Sequence, residues 1–279
     1  MYNENTKTDI TIVTSFFDIK RYEWTPDKGL PHYLYRTVDT YVERFRHMWE
    51  LKNPLILYTT EDMLERITTS FPKREDSTTL ICMENPAKTQ VELMDRIRKV
   101  QTSEAFQKII HPSQVKNPEY WSPEYVLINF MKSFYAKHAI ENGHVKTKLV
   151  SCIDFGYFRS ADKLPKSRLW NYPFDETKVH FFGYKEFDPK NTIQNVIATN
   201  DVHILGAQIV GGRDVWIDFI SYMHKNMEIL LNNNLVDDDQ TLMLMCYLSD
   251  HIFFKMHPIP DHQFGHDPFV LFQKYNTYP

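Results

Sequence analysis

Glycine is scarce in this sequence, 8 residues of 279, and cysteine scarcer still at 3. So few glycines leave no glycine-rich phosphate loop. Neither GxGxxG nor the Walker pattern with its Lys-Ser/Thr occurs, so a dinucleotide or ATP site of those types has no support. Cys82, Cys152 and Cys246 lie far apart without metal-ligand spacing; they read as reduced thiols of a reducing compartment. Positive charge is not in excess: 32 Lys and Arg against 36 Asp and Glu give a net charge of -4. Such a chain offers no general field for nucleic acid, which is not expected as a partner. Long apolar runs are missing too. Residues 2–9 hold no signal-like core, and nothing later approaches the roughly 20 apolar residues of a membrane span. The expectation is a cytoplasmic protein without a transmembrane segment, compatible with peripheral association at the inner face of the membrane.

What remains is an ordinary globular composition, 42% hydrophobic and 24% charged, enough for a sizeable core. Aromatics reach 14%, which suggests broad, flat contact surfaces. Periodicity predicts strands at 9–17, 54–59, 78–83, 149–153, 179–182 and 202–210. It predicts helices over 31–51, from 60, over 90–110, over 123–142, over 214–232 and after 237, with Gly143 closing the fourth. Strands alternating with helices over the first half imply βαβ units and a mostly parallel sheet. Neither an internal repeat nor a low-complexity linker divides the chain.

Residues 148–158 (KLVSCIDFGYF) carry the strongest functional signal. An apolar run of strand length, covered on both faces, delivers Asp154 at its end and then meets Gly156. Open α/β sheets bind ligands beyond the carboxyl ends of their strands, which places Asp154 at a site, unless it only caps the following turn. Gly211 and Gly212 let a backbone pass close to a sugar or phosphate, or make a tight turn. Asp237, Asp238 and Asp239 precede an apolar helix; one of them caps it, and one could serve as a general base near an acceptor hydroxyl. His251, His257, His262 and His266 fit no zinc motif, although an oxygen-loving cation shared with a phosphate needs fewer protein ligands. Trp24, Tyr33 and Tyr35 offer flat faces to sugars or pack in the core.

Four runs resemble a known family over most of the chain: 10–21 (ITIVTSFFDIKR), 129–133 (NFMKS), 151–157 (SCIDFGY), and 211–216 (GGRDVW) with 237–240 (DDDQ). They are similar to the HtrL/YibB family of bacterial surface-polysaccharide gene clusters, whose members resemble nucleotide-sugar glycosyltransferases of the GT-A type. The resemblance implies a GT-A-like, Rossmann-type α/β fold with a mixed, mostly parallel sheet flanked by helices. It implies one domain over 1–279, with a nucleotide-binding half at about 1–160 and an acceptor-side half at about 161–279. It also implies an Asp-X-Asp motif that holds Mn2+ or Mg2+ and the donor diphosphate.

Position by position, Asp154 takes the place of the first acid and Gly156 that of the second. A metal held by Asp154 then needs another ligand, for which His262 and His266 are the candidates. Otherwise the enzyme is metal-independent, and cations stabilise the leaving diphosphate. By the same resemblance Lys132, on the helix before the Asp154 strand, is the first such cation, followed by Arg21 and Arg213. Thr14, Ser15 and Phe16 line the base and ribose, and Asp238 or Asp239 is the acceptor-side acid. The implied activity is transfer of a sugar from a nucleotide donor, a UDP-sugar favoured, to a glycan acceptor of lipopolysaccharide, lipooligosaccharide or capsule. The alternative is a non-catalytic carbohydrate-binding or scaffold protein of a polysaccharide assembly complex, which the missing second acid favours.

Overall fold

The computed structural model describes residues 10–74, 77–259 and 268–272. Among the described residues seven strands form one sheet: β1 (Ile10–Phe16), β2 (Leu55–Thr59), β3 (Thr78–Cys82), β4 (Leu149–Ile153), β5 (Val179–Gly183), β6 (Gln208–Gly212) and β7 (Phe254–Pro258). Their order is β3-β2-β1-β4-β6-β5-β7. The sheet is mixed and mostly parallel, as the sequence implies; only β6 runs against its neighbours β4 and β5.

Strand alternation divides the core in two. On one face Val13, Ile56, Tyr58, Val150, Cys152 and Phe181 join one cluster. On the other Ile12, Leu55, Leu57, Leu149, Ile153 and Phe182 join a second. A period of two with both faces apolar produces the continuous hydrophobic runs seen in the sequence. The helices are α1 (Val38–Trp49), α2 (Glu61–Ser70), α3 (Pro86–Thr89), α4 (Val91–Gln101), α5 (Glu104–Ile109), α6 (Pro123–Glu141), α7 (Ile193–Thr199), α8 (Trp216–Asn232), α9 (Asp239–Ser249) and α10 (Pro268–Leu271). Helices α4, α6, α8 and α9 contribute to the first cluster, and α1 and α2 to the second. None among the described residues is long and apolar enough to cross a membrane.

Three expected elements come out differently. The helix expected from 31 begins at Val38, because the Thr37 hydroxyl accepts the Thr40 N–H and caps it. The helix expected over 90–110 breaks after Gln101, where Ser103 caps α5 by accepting from Phe106 N–H. The strand expected over 202–210 is extended only from Gln208; before it, Ile204 makes an isolated bridge to Gly183.

The chain leaves the sheet's centre in opposite directions on either side of β1 and β4, and this change of direction opens a crevice above their carboxyl ends. Helix α6 packs against both strands there. Ser122 starts it by accepting from Tyr125 N–H at 3.2 Å, with Pro123 in the first turn. Its buried residues, among them Val126, Phe130, Ser133 and Ala136, place it between the sheet and the outer helices.

Candidate functional site

A cavity of about 430 Å³ lies at the carboxyl ends of β1 and β4. Ser15, Phe16 and Phe17 line it at the end of β1, and Asp154, Phe155 and Gly156 just beyond β4. Lys132 reaches up from α6 and is 11% exposed. Its Nζ donates to Asp154 Oδ1 at 3.0 Å and to the Gly206 carbonyl at 2.5 Å. Asp239 Oδ2 lies 2.6 Å from the same nitrogen, and that carboxylate is only 3% exposed. Burial alone lowers an ammonium's pKa, but Asp154 and Asp239 outweigh it and hold Lys132 above its ordinary value.

Asp239 reaches Lys132 because the first turn of α9 is tied down. Gln240 Nε2 donates to the Ile204 carbonyl at 2.6 Å. Asp238 caps α9 by accepting from Gln240 N–H at 3.0 Å, while Asp237 accepts from Asp238 N–H and from the Thr241 hydroxyl. Close approach also needs Gly206, where a Cβ would stand 2.7 Å from Gln240 and 3.2 Å from Asp239. Glu119, also buried, stands near this run. Burial pushes Asp237 and Asp238 up to about 7, and Glu119 up by the same cause with Asp238 and Asp237 adding to it.

Among the charged side chains of the lining, cations predominate. Arg21, Arg36, Arg44, Arg159 and Lys163 join Lys132, against the carboxylates of Asp18 and Asp154 among the described residues. Arg21 is buried; it donates to the Leu34 carbonyl at 3.1 Å and the Tyr41 hydroxyl at 2.9 Å, and stands 4.9 Å over the Trp24 ring. Among the described residues, no carboxylate lies within ion-pair distance of Arg36, Arg44, Arg159 or Lys163. Burial lowers the pKa of the Arg44 guanidinium, and the like charges of Arg36, Arg159 and Arg21 add to the fall. Cations gathered without counterions form a site for an anion.

The structure brings Ser15, Phe16, Arg21, Lys132, Asp154 and Gly156 together at one cavity, with Asp239 behind Lys132. Thr14 is buried in β1 and does not line the cavity. Phe16 lines it, but its ring packs on Phe155 and Tyr41 at 4.8 and 5.0 Å. Asp238 faces a separate small recess with Asp201 and His203.

Gly211 and Gly212 are not at the cavity. Gly212 pairs with Leu149, at the opposite end of β4 from Asp154, because β6 is antiparallel there. The pair serves packing: a Cβ on Gly212 would meet the Glu176 carbonyl oxygen at 1.6 Å, and one on Gly211 the Trp216 ring at 2.9 Å. Arg213 follows them and pairs with Asp214. Trp24 packs on Trp121, whereas Tyr33 and Tyr35 are exposed. His262 and His266 lie outside the described residues. Sequence reading missed Arg36, Arg44, Arg159, Lys163 and Glu119. The one available signal was the recurrence of arginine on both sides of the α1 start, close in sequence to β1.

A divalent cation of the Asp-X-Asp kind does not fit these side chains as they stand. A Cβ on Gly156 would already lie 2.8 Å from the Tyr41 ring, so a second acid there has no room without moving it. Among the described residues, no group of three His, Cys, Asp or Glu side chains is arranged to hold a metal ion.

Together these features define an α/β protein with a cleft rich in cationic side chains at the centre of its sheet. The chain belongs to the HtrL/YibB family, described as a bacterial protein of unknown function, which it matches over residues 8–274. It is 38% identical to protein HtrL of Escherichia coli (strain K12) over 253 residues, 90% of this chain and 88% of that one. Among solved structures it is similar to apo mouse xyloside xylosyltransferase 1, at 12% identity and a TM-score of 0.39, covering 89% of this chain and 84% of the other. So distant a likeness carries no argument about chemistry.

Proposed function

We propose that this protein is a nucleotide-sugar glycosyltransferase of GT-A type that adds a sugar to a bacterial surface glycan, lipopolysaccharide, lipooligosaccharide or capsule, at the inner face of the membrane. The observation that carries the reading is the cluster of cations without a carboxylate partner among the described residues, Arg36, Arg44, Arg159 and Lys163, beside Asp154 at the carboxyl ends of the central strands. A nucleoside diphosphate matches it in charge and in place. In the transfer, the bond between the anomeric carbon and the phosphate oxygen breaks, the acceptor hydroxyl oxygen bonds to that carbon, and the hydroxyl proton passes to the acceptor-side carboxylate. The departing diphosphate gains negative charge, which preorganised guanidinium groups stabilise. Asp154, 40% exposed and fixed through one oxygen by Lys132, has its other oxygen available for a hydroxyl of the donor or acceptor. Asp239 is enclosed behind Lys132 and orients it. Asp238 faces the separate recess, so the acceptor-side acid is better assigned to Asp154.

The tyrosine-covered Gly156 favours a second reading, a carbohydrate-binding or scaffold protein that retains the cleft without catalysis. Titration with UDP and UDP-sugars by calorimetry, followed by product analysis with glycan acceptors, decides between them. The transferase reading requires nucleotide binding and turnover; binding without turnover on any acceptor selects the second reading, and absence of nucleotide binding ends the first.

A further inference from the structure

The Lys132 ammonium is surrounded by oxygen from three separate parts of the chain. Asp154 stands at the end of β4, Gly206 in the turn before β6, and Asp239 at the start of α9, at 3.0, 2.5 and 2.6 Å from Nζ. Two carboxylates and a carbonyl converging on one point are the donors that a hard divalent cation takes, at roughly 2.0–2.6 Å. Here they meet a single ammonium, so two acidic side chains face one basic one. Lys132 is 11% and Asp239 3% exposed, so that pair is shielded from water, whereas Asp154 at 40% stays open to the cleft.

We propose that Lys132 Nζ is the resident cation of this cluster, seated where a divalent ion would otherwise bind, and that removing it opens a cation site made of Asp154, Asp239 and the Gly206 carbonyl. The lysine is covalently present in every copy, so the cleft keeps a positive centre beside its anion whatever the metal supply. The inference deepens the transferase reading, and its catalytic meaning rests on that reading; the cation site itself does not.

Mn2+ alone is the probe, followed by loss of its free electron paramagnetic resonance signal in chelator-treated protein without nucleotide. The parent is expected to leave the signal unchanged. Lys132→Ala is expected to bind Mn2+ at least about tenfold more tightly than the parent. Mn2+ should also raise the melting temperature of that variant but not of the parent, and adding Asp154→Asn should abolish both effects. A Lys132→Ala chain that folds only with Mn2+ present supports the proposal equally. Mn2+ binding by the parent that Asp154→Asn removes overturns it, whether or not the lysine variant folds. So does a folded Lys132→Ala that gains no Mn2+ affinity. Failure of the transferase reading is distinguishable, because it appears as absent nucleotide binding while the Mn2+ results stand.

Discussion

Arg44 shows how far a single side chain can be read. It projects from α1 into the cleft with its pKa already lowered by burial and by its cationic neighbours, so it is less stable as a cation in the free protein than in water. A bound diphosphate relieves both burdens. Arg44→Ala is therefore expected to weaken UDP binding about tenfold or more, while leaving the fold intact, since Arg44 has no carboxylate partner among the described residues. Calorimetry with UDP and a melting curve check the two halves of that statement. Gly212 gives the opposite kind of prediction. Its missing Cβ would sit 1.6 Å from a backbone oxygen, which cannot rotate away as a side chain can. Gly212→Ala should cost on the order of 3 kcal/mol in urea denaturation through overpacking, without changing the affinity for UDP of the protein that remains folded.

At the scale of elements, β5 and β7 are joined by a histidine pair as well as by their parallel ladder. His180 Nε2 lies 2.9 Å from the Asp175 carbonyl, which can only accept, so that nitrogen donates. His180 Nδ1 then accepts from His257 Nε2 at 2.9 Å, and both rings are neutral. Burial lowers the pKa of each; for His257 it falls to about 4, with His180 and Lys255 adding to the effect. Because the folded value lies below the unfolded one, the unfolded chain binds more protons between about pH 4 and 6.5. The stability is fully present above pH 6.5 and is lost as pH falls through that window, on the order of 3 kcal/mol for His257. The raised carboxyls of Asp237 and Asp238 act oppositely, favouring the fold as pH falls. The diagnostic is therefore a difference: denaturation at pH 7 and pH 4.5 should show a smaller acid loss for His257→Phe than for the parent. Equal losses would remove His257 from the account.

The same scale explains what the sequence could show. Strands β1, β2 and β4 were legible because burial on both faces leaves nearly unbroken apolar runs, and Asp154 stood out as the acid that ends one. Lys132 was legible only through the family resemblance, since its apolar neighbours on α6 look like any buried helix. The reversal of β6 was not legible, and with it the distance of Gly211 and Gly212 from the Asp154 end of β4. Direction in a sheet is decided by which neighbours a strand pairs with, and no local pattern encodes that. The arginines at 36, 44 and 159 escaped for a related reason: each looks like a solvated residue until the β1 and β4 ends meet.

For the molecule as a whole, charge is distributed against its average. The chain carries -4, yet the described residues of its central cleft include six cationic side chains and two carboxylates. A ligand is therefore attracted by a local field, not by the net charge, and the field extends only about one Debye length, roughly 10 Å at 0.1 M salt. Affinity should rise with phosphate number, from uridine through UMP to UDP, because each added phosphate meets further guanidinium groups at short range. The UDP affinity should also fall as salt is raised, whereas that of uridine should hardly change. Melting temperature provides the readout, since a ligand that binds only the folded state stabilises it by RT ln(1 + [L]/Kd). The expected order of stabilisation at equal concentration is UDP, UMP, uridine, compressing toward uridine at high salt. If uridine stabilised the protein as much as UDP, the base would dominate recognition and the arginines would not form a diphosphate site.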